Sequence, residues 1–154
     1  VKLSEAKKST KQLRSTLKQF SAYDLLVIDA SAGLDLESEG VFRAADMVLV
    51  PTIPTTLSVR ALDTVRSFVG STSKAPSLYA FFSMVDGRRK LHRQTVDAMV
   101  NEDYVLPVVI PYASDVEKMG LERAPFLARH RRSVSARAYL DLWAIVQERL
   151  NRQV

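Results

Sequence analysis

Asp29 is the residue whose type and position most directly suggest chemistry. It ends an apolar run, Leu25 to Ile28, and small residues follow it from Ala30 to Gly33. An unbroken apolar run is typical of a central strand of a parallel sheet, which is buried on both faces. Such sheets bind ligands at the carboxyl ends of their strands. The pattern predicts a carboxylate at a ligand-binding edge, with room for a phosphate or water beside it. The alternative is a carboxylate that caps a helix or turn.

Basic side chains form a second group. Residues 1–20 carry six lysines and arginines against Glu5, which accounts for the whole formal net charge of +5. Neutralising nucleic-acid phosphates requires clustered Lys and Arg but no special spacing. Further lysines and arginines are grouped later in the sequence. Nonspecific DNA contact is one interpretation of these groups, and an ordinary solvated face is the other. The predicted DNA contacts are Arg60, Arg88, Arg89, Lys90, Arg93, Arg131 and Arg132.

Composition narrows the class of protein. The chain has 154 residues with 47% hydrophobic and 25% charged side chains, which suits one domain with a real core. The chain contains no cysteine, which excludes disulfides and thiolate metal sites. Its two histidines are too few for a histidine-rich metal centre. It has no run of 18 apolar residues, so we expect no transmembrane helix and no membrane partner. The lack of cysteine fits a reducing compartment, so we expect a cytoplasmic protein.

The elements that position these residues alternate along the chain. Hydrophobic periodicity predicts helices over 3–20, 36–45, 59–69, 89–100 and 135–150, with a helical turn at 116–119. Apolar runs predict strands over 24–29, 47–50, 78–82 and 105–110. This order predicts a three-layer α/β domain over 1–154, with a mainly parallel sheet and helices on both faces.

Four local predictions concern single residues. Ser58 is expected to cap the 59–69 helix, and Tyr139 and Trp143 are expected in the core beneath the last helix. His92, between Leu91 and Arg93, is expected at the surface or its boundary. A catalytic role for it is disfavoured, because no nucleophile or acid lies at helical spacing from it.

Five segments in this order resemble the ParA/MinD-type ATPases, a P-loop NTPase group with a deviant Walker A loop. The resemblance covers about Leu13 to Leu150. The first segment looks like the family's Walker B strand, and the third is similar to the partition ATPases in particular. The five segments are Tyr23–Leu34, Ala44–Leu62, Phe82–Arg93, Val109–Pro111 and Ala136–Leu140.

The resemblance implies a function and a set of site residues. A complete relative would bind ATP and Mg²⁺, dimerise around the nucleotide, bind DNA nonspecifically and act in plasmid or chromosome segregation, with a ParB-like activator stimulating hydrolysis. Asp29 corresponds to the residue that helps hold Mg²⁺ through water. The residues implied in nucleotide binding are Ser31 and Gly33 in the second switch, and Ser83, Pro111 and Tyr112 around the adenine. Tyr112 departs from the family pattern.

The family's phosphate loop has no counterpart in this sequence. The nearest similar stretch, Lys8-Ser9-Thr10, has neither glycines nor a preceding strand, and a phosphate cradle requires glycines for its turn. The chain therefore corresponds to the carboxy-terminal two-thirds of the family, lacks the phosphate-loop strand, and is expected to be inactive alone. A fragment, one half of a complemented pair and a remodelled relative all remain open.

A sheet without its phosphate-loop strand exposes strand edges, which invites homodimerisation or other self-association. The alternative function is therefore a non-catalytic binding or assembly module. A membrane-cycling protein is disfavoured, because the last helix is not uniformly basic on its polar face and is expected to dock on the sheet.

Overall fold

The computed structural model describes residues 2–30, 36–72, 75–119, 124 and 126–152. A short 3₁₀ helix, Lys18–Phe20, follows the first α-helix. The helices are α1 (Lys2–Leu17), α2 (Leu36–Ala44), α3 (Thr56–Gly70), α4 (Lys90–Met99), α5 (Ser114–Glu117), α6 (Phe126–Arg129) and α7 (Val134–Asn151), and the strands are β1 (Met47–Thr52), β2 (Ser77–Val85) and β3 (Val105–Pro111).

The strands form one parallel sheet in the order β1-β2-β3. In the β2–β3 pair, Phe82 lies opposite Val109 and Val85 lies opposite Pro111. A helix lies between each pair of consecutive strands, as parallel connections require. The predicted fold class, a parallel α/β sheet with connecting helices, is confirmed.

The chain divides into two compact units. The first comprises Val1–Val48 and Thr64–Leu78. In it α1 packs along α2, and Arg14 Nη2 donates a hydrogen bond to the Arg43 carbonyl oxygen at 2.6 Å. Arg43 also pairs with Glu39 one helical turn earlier, at 2.8 Å. These contacts fix α2 through its last turn, where basic side chains are favoured.

The second unit comprises Leu49–Asp63 and Tyr79–Val154. Its core is formed by β2, β3 and α7, and α7 packs against β3. Leu106 and Ile110 of β3 are 1% and 2% exposed, and Leu142 and Val146 of α7 are buried. Burying one such aliphatic side chain contributes about 1.5–3 kcal/mol, so this layer stabilises the unit by several kcal/mol.

The predicted strand over 24–29 is wrong. Residues 24–30 carry no strand assignment, and every residue of the segment is exposed, with Val27 at 84%. A strand needs a neighbour to receive its N–H and C=O groups. Residues 24–30 make no ladder with the sheet that the structure describes, so the apolar run stays outside it.

Local signals were misassigned at three other places. Ser58 lies inside α3, and its N–H donates to Thr55 Oγ1 at 3.4 Å, so Thr55 is the residue at the helix entry. Trp143 is 44% exposed rather than buried, because Leu142 and Val146 face the core in its place. Pro51 lies within β1 instead of ending it, which an edge strand tolerates because one side of its backbone needs no hydrogen bonds.

None of the described helices is both long and apolar enough to span a membrane.

Candidate functional site

The carboxyl ends of β2 and β3 meet at one edge of the sheet. Val85 lies opposite Pro111, and the Tyr112 N–H donates to the Val85 carbonyl oxygen at 3.0 Å. Ser83 is half-buried two residues before Val85. Parallel α/β sheets bind their ligands at this end of the strands. The three residues predicted around the adenine, Ser83, Pro111 and Tyr112, are therefore brought to one edge.

Met84 has an unusual backbone conformation at this edge. Its φ is +53°, a left-handed conformation that residues other than glycine rarely adopt. The β2–β3 register is irregular between Phe82 and Val85, and the Met84 side chain is 45% exposed. Such strain costs about 1–3 kcal/mol and concentrates at binding and catalytic sites. The sequence contained no signal for it, because methionine does not mark left-handed positions.

Asp86 organises the loop that follows β2. Its carboxylate accepts hydrogen bonds from the Arg88 backbone N–H and from the Arg88 side chain through Nε and Nη2, all at 3.0 Å. The side-chain bonds from Arg88 are the main cause, and its backbone N–H the second, of an Asp86 pKa lowered from 3.8 to about 2. Asp86 is therefore ionised at neutral pH and offsets the Arg88 charge.

His92 anchors the same loop from α4. Its side chain is 2% exposed, and its Nδ1 accepts a hydrogen bond from the Asp86 N–H at 3.1 Å. The prediction of a surface or boundary histidine is wrong, because the first turn of α4 faces inward at this position. Since Nδ1 accepts, the neutral ring carries its proton on Nε2. The Arg89 Nη1 group, 3.5 Å from Nε2, therefore makes a contact between two donors rather than a hydrogen bond.

The basic residues predicted to contact DNA lie on three elements. Four of them occupy the loop after β2 and the first turn of α4, and all four are exposed. The Arg93 Nη1 group donates to the Gly87 carbonyl oxygen at 2.5 Å, which ties the helix to the loop. Arg60 is exposed on α3, whereas Arg131 and Arg132 precede α7. The four residues that the structure brings together are Arg88, Arg89, Lys90 and Arg93.

Tyr112 is tied to α5 through its hydroxyl group. Its ring is 48% exposed, and its hydroxyl donates to Glu117 Oε1 at 3.3 Å. An exposed aromatic ring beside the sheet edge can stack on a planar ligand. The hydrogen bond holds the ring in one orientation.

The predicted metal residue, Asp29, is not part of the sheet that the structure describes. Asp29 is exposed on the segment outside the sheet, and Ser31 and Gly33 lie outside the described residues. Within the described part of the chain, no group of three or more His, Asp or Glu side chains could hold a metal ion. Mg²⁺ in nucleotide sites takes one or two carboxylates together with phosphate oxygens. Asp29 alone, without a phosphate-binding loop in the sequence, does not fit ATP and Mg²⁺.

Solved structures place the fold within a recognisable class. The chain is similar to the cell division ATPase MinD of Pyrococcus furiosus, with a TM-score of 0.74 and 21% sequence identity over 90% of this chain. The match spans 58% of the MinD chain, so this chain corresponds to little more than half of that protein. At this identity the likeness establishes the fold alone, which is the α/β fold of MinD. No protein-family model and no curated protein matches the sequence.

Proposed function

We propose that this chain is part of a ParA/MinD-like ATPase with a role in segregation or cell division. The observation that carries the proposal is the similarity to MinD over 90% of the chain. Among such roles we favour plasmid or chromosome partitioning, because the third of the five segments, Phe82–Arg93, is similar to partition ATPases. In the complete protein, ATP and Mg²⁺ would bind at the carboxyl ends of the strands. This chain would contribute the Ser83, Pro111 and Tyr112 edge, while the phosphate-binding loop would come from outside these 154 residues.

Nucleotide binding tests this proposal. Calorimetry with a nonhydrolysable ATP analogue and Mg²⁺ would be run on the 154-residue chain and on the full product of its reading frame. We expect no binding by the chain alone and Mg²⁺-dependent binding by the full product, weakened by Asp29→Ala. A full product that binds no nucleotide would contradict the proposal.

The chain's own contribution to DNA binding would come from the α4 cluster, Arg88 to Arg93. Its four cations are exposed and lie within six consecutive positions, although Arg88 is compensated by Asp86. Each phosphate contact steepens the dependence of binding on salt. With a duplex of random sequence, Lys90→Glu is expected to weaken binding and flatten the salt dependence, whereas Lys118→Glu on the segment after α5 is not. If both charge reversals weaken DNA binding equally, the effect comes from the overall charge of the chain rather than from the α4 cluster.

A non-catalytic assembly module is the second candidate. It is favoured by Asp29 lying on an exposed segment and by β1 having only β2 beside it among the strands that the structure describes. Leu49 in β1 is 36% exposed, and an unpaired apolar edge is a template for pairing with another chain. We expect self-association that increases with concentration in light scattering and is reduced by Leu49→Lys. If the full product self-associates in this way and binds no nucleotide, the assembly module is favoured over the ATPase.

A further inference from the structure

A shallow groove runs between β3 and the first half of α7. We call it the β3–α7 groove, and its volume is about 650 Å³. One wall is Pro107–Val109 of β3, and the other is formed by residues 131–134 and the exposed side of α7 to Asp141. The groove lies within the second unit, along the middle of β3. It is therefore separate from the Ser83–Tyr112 edge at the end of the strands.

The groove is positively charged. Arg131, Arg132 and Arg137 line it, and Asp141 is the one acidic residue in the lining. All three arginines are exposed, and none forms an ion pair with a carboxylate in the part of the chain that the structure describes. Cations near the N-terminus of a helix are unfavourable for that helix, so the stability of α7 does not explain their position. An anionic partner would explain the position of these three arginines.

The same groove is lined by exposed apolar side chains. Val134 is 78% exposed, Leu140 is 50% exposed and Val109 is 39% exposed. Contiguous exposed apolar groups with a charged rim are typical of protein-interaction surfaces. A nucleic-acid backbone offers charge but no aliphatic groups to cover these three side chains. A peptide that combines carboxylates with aliphatic side chains fits both features.

Pairing with another strand is disfavoured at this wall. β3 has only β2 beside it among the described strands, so its other edge is open. Pro107 lies in the middle of β3 and has no N–H to offer a neighbour. Proline on an edge strand interrupts a ladder and protects the edge from strand addition. The occupant must therefore be recognised through its side chains, as the amphipathic face of a helix would be.

We propose that the β3–α7 groove is a docking site for an acidic amphipathic segment of a partner protein. Carboxylates of the segment pair with Arg131, Arg132 and Arg137, while its aliphatic side chains cover Leu140 and Val109. Charge complementarity at the arginines selects the partner and accelerates its association. The buried aliphatic contacts slow its dissociation.

The experiment selects binders from a library of random peptides displayed on phage, using the complete 154-residue chain as bait. The selected peptides are then synthesised, and their affinities are measured by fluorescence anisotropy. We expect enrichment of Asp and Glu together with Leu, Ile or Val at helical spacing. Arg132→Glu is expected to weaken these peptides about tenfold, since reversal both removes an attraction and adds a repulsion. Leu140→Ser is expected to weaken them as well, which separates this mode from pure charge attraction.

Lys118→Glu is the matched control, because it reverses one exposed charge after α5, outside the groove. This control should change the peptide affinity by no more than about twofold. The melting curves of all variants should be unchanged, because the altered side chains are exposed. A selection that yields no acidic peptides overturns the proposal, as does one whose peptides bind the Arg132→Glu variant equally well. The groove would instead be a nucleic-acid site under two conditions. Duplex DNA would have to bind the Arg132→Glu variant less tightly, and it would have to displace the peptides equally well whether or not Leu140 is replaced.

Discussion

Replacing His92 tests the account of how α4 holds the loop after β2. His92→Leu keeps a side chain of similar volume but removes the acceptor at Nδ1, which receives the Asp86 N–H at 3.1 Å. The position is 2% exposed, so the substitution leaves little cavity and its cost is mainly the lost bond. A buried donor without its acceptor costs about 1–3 kcal/mol. Because Asp86 is itself only half-buried and water can approach it, we expect about 1–2 kcal/mol.

Two measurements distinguish this effect from general loss of packing. Urea unfolding gives the free energy of unfolding, and amide hydrogen exchange by NMR reports on the Asp86 N–H itself. His92→Leu should accelerate that exchange by roughly tenfold or more, because local opening no longer has to break the bond. His92→Asn is the control, since its Oδ1 offers an acceptor near the position of Nδ1 and should preserve the protection. If His92→Leu leaves both the stability and the Asp86 exchange rate unchanged, the histidine does not anchor the loop.

Three further predictions follow from the second unit. Ser133→Ala should cost about 1 kcal/mol in urea unfolding, because Ser133 Oγ caps α7 by accepting the Ala136 N–H at 3.1 Å, whereas Ser133→Asp should retain the cap. Leu106→Ala, at a position 1% exposed, should cost about 2–5 kcal/mol, and a value below 1 kcal/mol would mean that the β3–α7 layer is not the core. NMR titration should give Asp86 a pKa of about 2, and Arg88→Ala should raise that pKa toward 3.8. Since folding lowers this pKa, ionised Asp86 stabilises the folded state fully above pH 3.8, and this stabilisation disappears as the pH falls through about 2. If the pKa of Asp86 is unchanged in the Arg88→Ala variant, Arg88 is not the cause of the lowered pKa.

Elements with strong local patterns were predictable to within one or two residues. The sequence predicted helices over 89–100 and 135–150 and a strand over 105–110, and the structure has Lys90–Met99, Val134–Asn151 and Val105–Pro111. Their periodicity and their boundary residues are encoded within a few positions, so no distant contact is needed to read them. The convergence of Ser83 with Pro111 and Tyr112 was also implied, because parallel strands end at the same edge.

Features of the candidate site that depend on distant residues were not predictable. Met84 adopts a left-handed conformation although nothing in its residue type requires one, and the irregular pairing with β3 accompanies it. The burial of His92 depends on how α4 lies against the loop after β2. The β3–α7 groove joins Pro107–Val109 to Arg131 and Arg132, more than twenty positions apart, so no window of sequence displays it.

The sequence by itself determined the alternation of helices and strands, and with it the parallel α/β class, because apolar periodicity and connection order are local properties. Only the tertiary structure decided which apolar residues enter the core. Leu25 to Ile28 have the composition of a buried strand, yet they remain exposed outside the described sheet, while Leu142 rather than Trp143 is buried. The physical reason is that burial and strand pairing are completed by neighbours, and neighbours are supplied by the fold rather than by the segment.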